Sequence, residues 1–348
     1  MIDYSTQWLI QKIQQTQCNN CIWCIDENVL HQLPNTEHWP QKPLLITNRW
    51  DIAEQAKHLQ FHCEFNDFDF SHIRDASVDN VYYRISKEKA ITHHIINEAL
   101  RVLKKNGTLW LSGQKNEGIK TYIEKASVLF GCEKKINKDG ANYYSCLTKY
   151  SSNNSLLADD HYTVLRECLC IDEKPYLSKP GQFGWNKIDQ GSELLIQALL
   201  MQEDIYAHQF AHMLDLGCGY GYLTLASQSL QIKLRTLTDN NAAALISATA
   251  NCTQAGLAAT IVGSNAGEQL NNKFDLILCN PPFHQGFSVD GDLTDKFLGN
   301  AHRLLTENGQ AYFVVNEFIP LEKKAATLFH STQLIEQDKR FKVFALAK

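Results

Sequence analysis

Four consecutive residues, Asn280-Pro281-Pro282-Phe283, have side chains suited to work on an amine. The lone pair of an exocyclic amine on a nucleobase is delocalised into the ring, so its nitrogen is a poor nucleophile. A carboxamide oxygen on Asn280 and the carbonyl of Pro281 can accept its two hydrogens, orient the nitrogen and stabilise the positive charge that develops during attack. Two successive prolines remove backbone freedom and hold the flanking groups in place. Phe283 can stack on the base, while Pro282 and His284 can touch the rest of the substrate. His284 reads either as a base contact or proton relay, or as a loop histidine with no chemical duty. No strong general base is needed, because the nitrogen becomes acidic once alkylated. In-line placement of the electrophile supplies the rest.

A second constellation is Asp215-Leu216-Gly217-Cys218-Gly219-Tyr220-Gly221. Small residues are required where backbone turns with positive φ or approaches a ligand closely. A dinucleotide fingerprint would need glycine at position 222, where Tyr222 stands, so a dehydrogenase is disfavoured. The GxGxG spacing, with an acid two residues before the first glycine, resembles motif I of class I methyltransferases. That resemblance implies S-adenosyl-L-methionine as cofactor, with Gly217, Gly219 and Gly221 accommodating its amino-acid and ribose part and Asp215 holding its cationic end. Asp239, 24 residues after Asp215, can accept both ribose hydroxyls. Asn265 can hydrogen-bond the adenine edge, or serve only as a turn residue.

The elements that must position these groups alternate. MLDLGCG, LRTLTDN, ATIVGSN, FDLILCN and QAYFVVN read as strands, YGYLTLASQSL and NAAALISATANCTQAG as helices. Such alternation predicts a mostly parallel sheet covered by helices on both faces. A strand pair is expected between Tyr162 and Pro180, and Ser192–Leu200 reads as the start of an amphipathic helix. VYYRI and ITHHIINEALRVLKKNGTLWLSG echo FDLILCN and FLGNAHRLLTENGQAYFVV, each with an Asn-Gly pair, at Asn106-Gly107 and Asn308-Gly309. The echo lacks both chemical motifs. The expected fold class is α/β, with two tandem Rossmann-like domains of which the N-terminal one is degenerate. The expected boundaries are 1–150 for that domain, 151–160 for a polar linker, SSNNSLLADD, and 161–348 for the catalytic domain.

The chain has 348 residues, enough for two domains, and 44% hydrophobic with 20% charged residues, which argues against disorder. No apolar run is long enough for a membrane span and the N-terminus does not read as a signal peptide. Eleven cysteines without an export signal suggest free thiols in the cytoplasm. Cys18-x2-Cys21-x2-Cys24 lacks the second pair that a structural zinc site needs, so no metal is expected. Cys279 reads as a buried strand residue rather than a nucleophile. A net charge of −5 looks unfavourable for nucleic-acid binding, but Arg84–Lys138 holds 12 basic and 5 acidic residues, net +7.

PGQFGWNKIDQGSELL, LDLGCGYGYL, SNA, FDLILCNPPFHQG and the terminal KRFKVF together resemble the bacterial ribosomal RNA small-subunit methyltransferase C family, strongly over residues 160–348 and weakly before. The resemblance implies two methyltransferase-like domains, the first without cofactor. It also implies N2-methylation of a guanine in 16S rRNA; the expected setting is the small ribosomal subunit, and the expected enzyme a monomer. Phe183, Gly191 and the Asp189–Ser192 turn are implied to close the cofactor pocket. Trp185-Asn186-Lys187 departs from the family pattern. The target guanine must be flipped or unpaired to react. Lys104, Lys105, Lys134 and Lys135 of the basic segment are the candidate RNA contacts, against the plainer reading of solvated helix faces. Methylation of adenine N6 or of a glutamine amide, and a non-catalytic RNA-binding assembly factor, are the alternatives.

Overall fold

A computed structural model of the chain describes residues 3–16, 19–29, 32–35, 39, 41–151, 155–171, 174–203, 205–282 and 291–348; the side chains of residues 171, 174, 291 and 292 are outside the description. The chain divides into two compact units, Met1–Val164 and Leu165–Lys348.

The first unit runs α1 (Tyr4–Gln15), β1 (Cys21–Ile25), β2 (Leu44–Thr47), α2 (Trp50–His58), β3 (Cys63–Phe65), β4 (Val78–Arg84), α3 (Lys89–Val102), β5 (Leu103–Gln114), α4 (Ile119–Phe130), β6 (Asn137–Asp139) and β7 (Asn142–Thr148). The second runs β8 (Arg166–Ile171), β9 (Lys174–Ser178), α5 (Gln190–Leu200), β10 (Gln209–Leu216), α6 (Tyr222–Ala226), β11 (Gln231–Asp239), α7 (Ala242–Gln254), β12 (Ala259–Gly263), β13 (Phe274–Cys279), α8 (Gly291–Leu304), β14 (Leu305–Asn316), α9 (Leu321–Ala325), β15 (Ser331–Gln337) and β16 (Phe341–Ala347).

Each unit is built on a seven-stranded sheet, and the strand orders match: β3-β2-β1-β4-β5-β7-β6 and β12-β11-β10-β13-β14-β16-β15. The first five strands of each order are parallel and the last two pairings antiparallel. Even an irregularity recurs, between Val78 and Asn80 and between Phe274 and Leu276. These are two tandem Rossmann-like α/β domains.

FDLILC is apolar almost throughout because both faces of its strand are covered. Leu276 and Leu278 pack with Tyr312, Val314 and Leu195 on one face. Ile277 and Cys279 pack with Phe313, Val315 and the α8 residues Phe297, Leu298 and Ala301 on the other. Burial of each such leucine or phenylalanine contributes about 1.5–3 kcal/mol, so the strand that carries Asn280 is a rigid base.

Three local expectations shift. The helix after Gly221 ends at Ala226, because Ser227 Oγ turns back onto Leu223 O at 2.7 Å and Thr224 O at 3.2 Å. Of the two Asn-Gly pairs, only Asn106 adopts the left-handed region, at φ 66°. The unit boundary falls after Val164 rather than within 151–160. Leu157 exchanges two 2.9 Å hydrogen bonds with Asn97, Ala158 O meets His93 Nδ1 at 2.6 Å, and Tyr162 is fully buried with its hydroxyl on Asp67 at 2.6 Å. Residues 157–162 are therefore anchored to the first unit.

Candidate active site

In the second unit the two chemical motifs meet at the carboxyl ends of β10, β11 and β13, the edge where open α/β sheets bind ligands. Asp215 lies one residue before the end of β10 and is fully buried. Its Oδ2 accepts hydrogen bonds from Thr224 N at 3.1 Å and Thr224 Oγ1 at 2.8 Å. Its Oδ1 is buried with no hydrogen-bond partner among the described residues. Desolvation pushes the carboxyl up to about 7, against the two Thr224 bonds, with nearby Asp239 adding to the rise. An orphaned buried carboxylate oxygen suits a cationic ligand, which is what the motif resemblance implied for Asp215.

Gly217, Gly219 and Gly221 all have positive φ, at 82°, 53° and 88°. Gly217 N and Cys218 N both donate to Thr238 O, at 2.9 and 3.0 Å, which ties the turn to β11. A Cβ at Gly217 would lie 3.2 Å from the Phe297 ring, whereas Gly219 faces open space. Asp239 ends β11 and spans the turn: Oδ2 accepts from Gly219 N at 2.9 Å and Oδ1 from Asn241 N at 2.8 Å. Ser264 N donates to Asp239 O at 3.0 Å, so Asn265 stands beside Asp239, its own backbone N held by Gln269 Oε1 at 3.2 Å.

Asn280 follows β13 directly. Its Nδ2 donates to Asp189 Oδ2 at 2.6 Å and to Ser192 Oγ at 2.8 Å. Asp189 is the N-cap of α5, its Oδ2 also accepting from Ser192 N at 2.9 Å. Because an ionised carboxylate only accepts, the Asn280 amide must turn its NH2 toward Asp189 and its Oδ1 the other way. Pro281 is buried and Pro282 exposed, while Phe283 and His284 lie outside the described residues. Cys279 is fully buried, and burial pushes its thiol well above the ordinary range, so it is no nucleophile.

The PGQF loop is pinned to α7, with Asn241 Nδ2 on Gly181 O at 2.7 Å and Gln182 Nε2 on Ser247 Oγ at 2.6 Å. Phe183 stands 77% exposed on this pinned loop. Trp185 is covered by the Arg166 guanidinium, 5.1 Å from its ring. Gly191 is required by packing: a Cβ there would sit 3.1 Å from the Phe341 ring and 3.2 Å from Asp189 Oδ2. Sequence reading placed Asp189 and Ser192 near the pocket but missed their grip on Asn280, for which a separation of 91 residues leaves no local signal.

A model of the methyltransferase small domain matches residues 174–345. A ribosomal RNA small subunit methyltransferase C from Hamiltonella defensa is 30% identical over 275 residues, covering 77% of both chains. The chain belongs to the ribosomal RNA small subunit methyltransferase C family. The Marinomonas member is 26% identical over 326 residues, 92% of this chain and 86% of its own. Among solved structures, the T. thermophilus 16S rRNA N2 G1207 methyltransferase, in complex with AdoMet and guanosine, superposes with a TM-score of 0.81 at 21% identity, covering 99% of this chain and 92% of that one. At that identity the likeness speaks to the fold.

Membership sharpens the comparison of the two units. Counted from the shared irregularity, Arg84 occupies the register position of Asn280, Trp23 that of Asp215 and Thr47 that of Asp239. Trp23 is fully buried and puts an aromatic ring where the second domain has the Asp215 carboxyl. Arg84, 2% exposed, donates to Glu117 through Nη2 at 2.7 Å and to Asp3 Oδ2 through Nε at 2.7 Å. Asp3 caps α1 as Asp189 caps α5, so the capping acid persists while its strand-end partner has changed from amide to guanidinium. The first domain thus lacks the acids and the amide of the second.

The net +7 of Arg84–Lys138 is met in part by three acids from outside the segment, Asp3 on Arg84, Asp75 on Arg101 and Asp79 on Lys104, while other pairs lie within it. Arg101 pairs with Asp75 and Glu98, Lys104 with Asp79, Lys134 with Glu124 and Lys135 with Glu133. Lys105 is exposed and, with Lys104, lines a polar cavity of ≈ 440 Å³ at the amino edge of the first sheet. Among the described residues no group of three or more His, Cys, Asp or Glu could hold a metal ion, and no helix is long and apolar enough to cross a membrane. Nine cysteines are free, but Cys21 is disulfide-bonded, contrary to the all-thiol expectation. Cys18 lies outside the described residues.

The raised carboxyl of Asp215 has a measurable consequence. Between about pH 4 and pH 7 the folded protein holds a proton there that the unfolded chain has released, so stability from this group falls as pH rises through that window. A cation placed against Oδ1 reverses the preference and expels the proton. Calorimetry in buffers of different ionisation enthalpy should find a proton released on cofactor binding at about pH 6 and little release at about pH 8. Asp215→Asn should abolish the difference. Identical proton release at both pH values in the parent protein would rule out this role.

Proposed function

We infer that the protein transfers a methyl group from S-adenosyl-L-methionine to the exocyclic N2 amine of a guanine in 16S rRNA. The orientation of the Asn280 carboxamide carries the reading. With its NH2 committed to Asp189 and Ser192, Oδ1 is left to accept an N–H of a substrate amine. The Pro281 carbonyl takes the second hydrogen, and Phe283 stacks on the base. Together they keep the nitrogen lone pair directed at the incoming carbon and stabilise the ammonium that forms. The cofactor supplies an electrophilic sulfonium methyl; Asp215, Asp239, Asn265 and the backbone of Gly217, Gly219 and Gly221 would hold it. Gly191 lets α5 approach, which places Asp189.

The N2 amine of a paired guanine is out of reach, so the target must be unstacked or flipped. The family name supports small-subunit ribosomal RNA as substrate; the reading adds that the enzyme acts in the cytoplasm, within the small subunit, as a monomer. The first domain serves RNA docking rather than catalysis; of the candidate contacts Lys104, Lys105, Lys134 and Lys135, Lys105 is the one with no ion pair among the described residues.

Labelled S-adenosyl-L-methionine should be incubated with free 16S rRNA, assembled small subunits, DNA and protein, and the product nucleosides digested and separated. Label in N2-methylguanosine is the expected result. Label in N6-methyladenosine or in protein, or in no substrate at all, refutes the assignment.

A further inference from the structure

We propose that Phe318, with Lys339 and Arg340, forms a docking rim for single-stranded RNA beside the Asn280 pocket; this rests on the functional reading above and names the surface that holds its substrate. The sheet register supplies the placement. β13 and β14 are parallel, with Cys279 opposite Phe313, so β14 continues three residues past the level of Cys279 to Asn316. At about 3.3 Å per residue this carries the chain roughly 10 Å beyond that level, on the edge where Asn280 lies. β16 is antiparallel and begins with Phe341 opposite Asn316, so the turn between β15 and β16 emerges at the same edge. Phe341 also abuts Gly191, the neighbour of the Asp189 cap that grips Asn280.

Both parts of the rim are held rigidly. Asp338 Oδ1 accepts from Arg340 N at 2.7 Å and Phe341 N at 2.6 Å, and Asp338 N donates to Phe341 O at 3.0 Å. One oxygen of the Asp338 carboxylate is thereby committed to backbone, and these bonds, with the Arg340 charge nearby, hold the carboxyl below its ordinary range. Glu317 N donates to Arg340 O at 2.8 Å, which ties the Phe318 segment to the cationic turn. Ile319 N bonds Asn316 O at 2.9 Å, and Leu321 is fully buried, so the chain on either side of Phe318 is anchored. Phe318 itself is 87% exposed, the highest value among the large hydrophobic side chains described.

A ring fixed in solvent on an anchored turn is a stacking platform, and a base has an apolar face to offer it. Lys339 and Arg340 are exposed and form no ion pair among the described residues, unlike Lys104, Lys134 and Lys135. Glu317, Glu336 and Asp338 equal Lys339, Arg340 and Lys342 in number here, so what distinguishes the turn is the exposure of Lys339 and Arg340, in a half of the chain, residues 151–348, whose net charge is −6. An aromatic beside two exposed cations, of which Arg340 lies over the Phe341 ring at 5.9 Å, fits a nucleic-acid strand, with phosphates on the cations and a base on the Phe318 ring.

The test uses full-length protein and 16S rRNA, with direct RNA binding by fluorescence anisotropy beside methyl transfer. Phe318→Ala should raise the RNA Kd and KM about tenfold or more, and Phe318→Trp should restore them. Lys339→Ala with Arg340→Ala should reduce the slope of log affinity against log salt by about 1.4. Cofactor affinity and melting temperature should not change. RNA affinity and salt slope equal to the parent's overturn the rim, as does a loss accompanied by weaker cofactor binding. If the parent protein binds RNA through this rim yet methylates none, the functional reading fails while the rim stands.

Discussion

Asn280→Ala is expected to lower the methyl-transfer rate on 16S rRNA by about 10²–10³-fold while leaving cofactor affinity unchanged. The factor is that typical of removing one preorganised group that meets charge developing in a transition state. The side chain is oriented from behind by Asp189 and Ser192, at 2.6 and 2.8 Å, so its only unspent polar atom is Oδ1. Alanine removes that acceptor and touches none of the residues that shape the glycine turn. The fold should survive, because Asp189 keeps its capping bond from Ser192 N and the two hydrogen bonds lost with Asn280 cost about 1 kcal/mol each. Single-turnover transfer of labelled methyl, paired with calorimetric binding of S-adenosylhomocysteine, separates the two effects. More than a tenth of the parent rate in the variant would remove Asn280 from the chemistry.

Asp239→Ala should do the converse and weaken cofactor binding about a hundredfold. One carboxylate here ties Gly219 N and Asn241 N together at 2.9 and 2.8 Å, so it sets the turn that the ligand must enter as well as offering acceptors to a ribose. Charge-assisted hydrogen bonds contribute about 1.5–3 kcal/mol each, and the loss of two with the ligand accounts for that factor. The KM for S-adenosyl-L-methionine should rise, and saturating cofactor should recover most of the rate. An unchanged dissociation constant for S-adenosylhomocysteine would show that Asp239 has a purely structural part.

The two variants report on groups of different legibility. The Asp215–Gly221 turn and Asn280-Pro281-Pro282 are contiguous runs whose chemistry follows from local backbone limits, and they were read in place. The alternation around them was enough to foresee a doubly covered parallel sheet, and the echo between halves was enough to foresee two domains. Element ends were harder. Ser227 stops a helix through its own hydroxyl, and residues 157–162 look like linker in composition but are anchored by Asn97, His93 and Asp67.

By itself the sequence determined the tandem α/β class and the family, and it singled out the Asp215–Gly221 turn and the Asn280-Pro281-Pro282 run, since these are read from residues close together in the chain. The tertiary structure alone decided which way the Asn280 amide faces, because Asp189 lies 91 positions away. It alone decided that Arg84 is a buried cation clasped by Asp3 and Glu117 rather than part of a basic face. Charge counted along the chain cannot say where the acids will fold. Coulomb attraction depends on distance in space, and only packing brought Asp79 to Lys104.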